Sequence, residues 1–139
     1  MKLLSFTAFL LMAAAAISAP KEESRTVPAG AWGGNGIALT VDESGAKLEL
    51  DCAHGRIAQP LALDADGRFE LTGTFVRERP GPVRMGPNGE AQEEKGAPAT
   101  YSGRLEGDVL RLTIRFENGG ESRPLEARRG QAARLHKCL

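Results

Sequence analysis

The chain has no excess of either charge: 18 Lys and Arg stand against 18 Asp and Glu. A nucleic-acid binder would show a basic excess, so that class is set aside. No polybasic run marks a lipid surface either. After the first twenty residues no apolar run is long enough to cross a membrane, and no cysteine comes directly after that region to carry a lipoprotein anchor. Only two histidines are present, His54 and His136. Neither falls in a nucleophile signature such as G-x-S-x-G, and no cofactor motif is found. The expectation is a non-enzymatic protein with no catalytic residue and no cofactor. No long segment places apolar residues three and four apart, which leaves no helix of any length.

What is present begins with an address. Lys2 supplies a positive start, and Leu3 to Ile17 is apolar apart from Ser5 and Thr7. Ala16-Ile17-Ser18 ends the run with small residues. This is the pattern of a signal peptide, 1–18, which predicts a secreted or periplasmic protein. Cleavage there leaves 121 residues, enough for one domain with one core. Export decides how Cys52 and Cys138 are read. Two thiols in an oxidising compartment are most simply one disulfide. In the chain-entropy model a bridge closing so long a loop is worth about 4–5 kcal/mol.

Residues 19–29 mix charge, Ser and two prolines without a period, as a flexible leader does. From 30 to 139 apolar and polar residues alternate repeatedly. Ile37, Leu39 and Val41 share one face; so do Ala46, Leu48, Leu50 and Cys52; so do Phe69, Leu71, Gly73 and Phe75. Leu110, Leu112, Ile114 and Phe116 form a fourth set, and Leu125 with Ala127 a fifth. A period of two means half-buried strands. Turn signals separate them at Asp42–Gly45, Asp64–Gly67, Glu106–Asp108 and Asn118–Gly120. Short turns join neighbours antiparallel. The prediction is an all-β, up-and-down meander of seven or eight strands, closed into a small barrel, with a β-sandwich as the alternative. Such a barrel either is filled by side chains or holds one small ligand. The segment 79–98 breaks the pattern. Pro80, Gly81, Pro82, Gly86, Pro87, Gly89 and Gly96 make it a long loop at one mouth.

Cys52-Ala53-His54 and His136-Lys137-Cys138 are the chemically richest segments. If they meet, two Cys and two His could ligate zinc. Oxidation of the exported thiols explains both cysteines more simply, and leaves a His54–His136 pair as the residual metal alternative. Arg128, Arg129, Arg134 and Lys137 make the C-terminus basic, as a solvated edge or an anion site.

Gly30-Ala31-Trp32 opens the first strand with a G-x-W. Followed by a meander, it resembles the lipocalin and avidin-like barrels. That resemblance implies that Trp32 closes one end of the barrel beneath Arg128 or Arg129. With Asp51-Cys52-Ala53-His54-Gly55, Tyr101-Ser102-Gly103 and Lys137-Cys138-Leu139, the mature chain also resembles small exported bacterial single-disulfide β-barrel proteins of unknown function. A further resemblance is to small periplasmic inhibitors of metalloproteases, barrels that insert an N-terminal segment into the enzyme's cleft. The expected function is therefore monomeric binding, of a small apolar ligand in the barrel or of an exported protein at its rim. Protease inhibition through residues 19–29 is the alternative.

Overall fold

The computed structural model describes residues 25–79, 87 and 96–138. The expected signal peptide 1–18, leader residues 19–24 and most of the 79–98 loop lie outside the described residues. Eight strands follow in order: β1 Gly30–Gly34, β2 Ile37–Asp42, β3 Gly45–Leu50, β4 Ala53–Ile57, β5 Arg68–Arg77, β6 Ala97–Glu106, β7 Val109–Phe116 and β8 Leu125–Arg129. Each pairs antiparallel with its sequence neighbour, and β8 returns to β1, so the sheet is a closed barrel. The meander is as expected, and the sandwich alternative falls.

Two-residue turns make the tight hairpins. Asn35-Gly36 joins β1 to β2, with Gly36 at φ 79°. Asp51-Cys52 joins β3 to β4. Cys52 was expected on the strand with Leu50. It sits instead in this turn at φ 52°, the one described non-glycine residue in the left-handed region. A two-residue hairpin favours such angles because they match the strands' twist. A side chain there costs about 1–2 kcal/mol, and a glycine could not form the covalent link this position carries.

β6 also begins earlier than the loop prediction allowed, with Ala97 and Pro98 already paired to Phe75 and Thr74. The proline is tolerated for a geometric reason. Its missing N–H would point toward β7, whose ladder with β6 starts only at Ala99.

The interior is packed. Trp32, Tyr101, Ile37, Leu39, Leu48, Leu110 and Ile114 are its largest fully buried side chains. Tyr101 lies across the barrel with its hydroxyl donating to the Thr74 carbonyl. Gly55 and Gly73 make room for it: a methyl on Gly73 would stand 2.8 Å from Tyr101 Cε2, and one on Gly55 would collide with the hydroxyl. Gly103 does the same for Phe69, with a methyl 2.6 Å from the ring.

One end is closed by the chain itself. Val27, expected in the flexible leader, is 3% exposed and belongs to the core. Its N–H donates to Leu61 O at 3.0 Å, and Leu63 N–H donates to Arg25 O at 2.7 Å. Residues 25–29 are thus docked against the β4–β5 connection. Trp32 lies next to this floor, 1% exposed, with Nε1 donating to Pro28 O at 3.1 Å.

The seam between β1 and β8 is short, with only Trp32↔Arg129 and Gly33↔Arg128 in register. The C-terminal segment after β8 runs along the outside of β1. Gly130 N–H donates to Ala31 O, Arg134 N–H to Gly34 O, and Gly36 N–H to Arg134 O. Gly33 permits this approach, since a methyl there would stand 2.8 Å from Ala133 N.

Two substitutions check the packing. Gly73→Ala should cost about 1–3 kcal/mol by overpacking against the Arg56 carbonyl and Tyr101. Val27→Ala should cost about 1–3 kcal/mol through lost burial and the cavity left behind. Urea denaturation measures both, and an effect below about 0.5 kcal/mol for Val27→Ala would mean that the segment is not docked.

Candidate functional site

Strands run so that β5 ends, β6 begins and β7 ends at the mouth opposite Trp32. Phe75 and Arg77 follow the inward parity of Phe69 and Leu71 on β5, and Phe116 follows that of Leu112 and Ile114 on β7. The Phe75 and Phe116 rings meet edge to face with centroids 4.9 Å apart. The Arg77 guanidinium lies over both, 5.9 Å from the Phe75 centroid and 5.4 Å from that of Phe116. A cation above aromatic faces is held by their quadrupoles while its N–H groups stay free to bond elsewhere. An open cleft of about 480 Å³ adjoins this arrangement, lined also by Arg79, Pro98, Glu117 and Asn118. It offers ring surface, two guanidinium groups and one carboxylate.

A polar corner fixes the rim from outside. Alternation turns Glu78 away from the interior that Arg77 faces. Its backbone N–H donates to Cys52 O at 2.9 Å. Its carboxylate accepts from Lys137 Nζ at 2.9 and 3.1 Å. His54 Nδ1 lies 3.1 Å from the same carboxylate. Lys137 also donates to Glu49 at 2.6 Å and to Ala53 O at 3.1 Å. Burial alone would push the Glu78 carboxyl up, but the hydrogen bonds from Lys137 and His54 outweigh it and hold it below its ordinary value. Burial likewise opposes the charge on Lys137, and its bonds to Glu49 and Glu78 win and raise it. The corner is completed by the Cys52–Cys138 disulfide, which is present as expected. Cys52 N–H donates to His136 O at 3.1 Å, and His136 N–H to Asp51 Oδ1 at 2.7 Å.

The other predicted residues separate. Register places Arg129 directly across from Trp32, but Arg128 and Arg129 are both exposed and Arg128 pairs with Glu126. The described cation–π contacts belong to Arg77, not to an arginine over Trp32; the floor of Val27 and Pro28 covers the indole in their place. The zinc set is overturned because both sulfurs are bonded to each other. His54 instead faces Glu78, and among the described residues no group of three or more His, Cys, Asp or Glu side chains could hold a metal ion. Among the described residues no helix is long and apolar enough to cross a membrane.

Sequence reasoning missed Phe75, Arg77, Phe116, Glu78 and Lys137 as one neighbourhood. A signal existed: Arg77 continues the inward alternation Phe69, Leu71, Gly73, Phe75, which places a charge where the pattern calls for an apolar residue. Nothing local ties Glu78 to Lys137, since only the fold brings them together.

Replacing both cysteines by serine should cost about 2–5 kcal/mol, and hydrogen exchange should then open β1 and β8 before β5–β7. The sign of the Glu78 effect is also fixed. A carboxyl held below its ordinary value of 4.5 stabilises above that value, and the contribution is lost as pH falls through the depressed one. Glu78→Gln should therefore be less stable than the parent chain near neutrality, and urea midpoints of the two should converge as pH drops below about 4. Compared with known proteins, the chain matches no family model, no curated protein and no solved structure.

Proposed function

We propose that this chain is an exported, non-enzymatic binding protein whose binding surface is the open mouth of the barrel. The observation that carries the reading is Arg77 held over the Phe75–Phe116 pair at the edge of an open cleft. The filled interior argues against a ligand within the barrel, since Trp32, Tyr101 and their neighbours occupy that space. The ligand implied by the rim has an apolar body and an anionic group: rings for the first, Arg77 and Arg79 for the second. It is taken either free or displayed on an exported partner. The sequence of residues 1–18 and the disulfide support export. Inhibition through residues 19–29 has less support, because 25–29 are docked against the barrel.

The test uses 8-anilinonaphthalene-1-sulfonate, an apolar anion whose fluorescence rises on binding. The parent chain should bind one equivalent saturably. Arg77→Glu should weaken that binding at least about tenfold, the equivalent of 1.4 kcal/mol, without lowering the melting temperature. Equal affinity in the two proteins would reject the mouth as the site.

A further inference from the structure

The barrel wall has a break beside the lower half of β5. The β4–β5 ladder runs from Ala53↔Arg77 only as far as Arg56↔Thr74. β5 continues to Arg68, still paired with β6 along its other edge. Even-numbered residues of β5 direct their backbone groups toward the β4 side. Glu78 N–H donates to Cys52 O and Asp64 N–H donates to Arg68 O; Gln59 Nε2 donates to Thr72 O at 3.2 Å. Glu70 lies between Arg68 and Thr72 in this set. Its N–H and C=O, and the N–H of Thr72, have no hydrogen-bond partner among the described residues. An open cleft of about 540 Å³ flanks them, lined by Ala62, Leu63 and Asp64, by Arg68 to Leu71, and by Ser102 and Gly103 of β6.

Adjacent unpaired groups on a strand edge are a template for another strand, and recognition of extended peptides reuses this geometry. The exposed side chains add a direction. Arg68 and Glu70 point outward two residues apart, and neither forms an ion pair among the described residues. Half-buried Leu63 and Leu71 supply apolar surface beside them, with the buried Phe69 beneath. We infer that this gap accepts an extended peptide segment as an added antiparallel strand beside β5. The segment has a cation opposite Glu70, an acid opposite Arg68 and β-branched apolar residues alternating with them. Opposite charges across a ladder favour this register and like charges oppose it. The site lies toward the Trp32 end of the barrel and is separate from the mouth proposed above.

The probe is acetyl-Thr-Val-Lys-Val-Glu-amide, which runs antiparallel to Arg68–Thr72 with Lys opposite Glu70. Its control is the charge-swapped acetyl-Thr-Val-Glu-Val-Lys-amide. Titration of the isotopically labelled full chain should shift the Glu70 and Thr72 amide resonances and slow their exchange with solvent. The first peptide should bind at least about fivefold more tightly than the control. The double variant Arg68→Glu, Glu70→Lys should reverse the order, because the control then meets an opposite charge at both positions. Glu70→Pro removes the free N–H without touching the β6 ladder, and should weaken both peptides while the remaining spectrum stays dispersed. Equal binding of the two peptides, no binding, or shifts confined to the Arg77 and Arg79 amides would each overturn the inference. If Glu70→Pro does not fold, the reversal by Arg68→Glu, Glu70→Lys decides alone.

Discussion

Everything in this barrel depends on closing the seam between β1 and β8. A sheet of eight strands with one apolar face must bring its first and last strands together, or expose both that face and two edges. Here the direct ladder offers two residue pairs. The C-terminal segment supplies what the ladder lacks. It lies flat on the glycine surface of β1, bonds to Ala31, Gly34 and Gly36, and is tied to the β3–β4 turn by Cys52–Cys138. The left-handed angle at Cys52 is tolerated because this position must link covalently to the tail.

The same tie organises the mouth. Lys137 is next to the bridge and reaches Glu78 and Glu49 together. Glu78 is the residue after Arg77. Fixing one side of the chain at Glu78 fixes where the next residue back can point, so the guanidinium above the two phenyl rings rests on an ion pair outside the barrel. Structure and proposed function therefore share residues: the corner that clamps the tail also sets the rim.

Alternation made β2, β3, β5, β7 and β8 plain in the sequence. It was silent for β1, β4 and β6, and the physical reason is one and the same. In those strands glycine stands where a side chain would have shown the pattern. Gly33 yields space to the tail, Gly55 to Tyr101 and Gly103 to Phe69. Packing that needs an absent side chain erases the period that announces a strand. Asn35-Gly36 is the clearest hairpin signal in the chain and marks the end of β1. Val27 was hidden for a different reason: a single apolar residue among charges and prolines has no period, and only the contacts with Leu61 reveal that it is buried. Cys52–Cys138 was legible from the cysteine count and the expected compartment, whereas the Lys137–Glu78–His54 corner is a product of the fold.

The bridge also divides the molecule mechanically. Residues 52 to 138 form a covalent ring that contains β4 to β8 and the tail. β1, β2 and β3 lie outside that ring in the chain, yet sit between its two ends in space. A pull applied between Arg25 and Cys138 can draw out only the stretch before Cys52, roughly 90 Å of extended chain at about 3.5 Å per residue. Beyond that length the load passes through the sulfurs rather than through hydrogen bonds. The five later strands are shielded from tension, and the barrel yields like a drawn cord with a fixed stop.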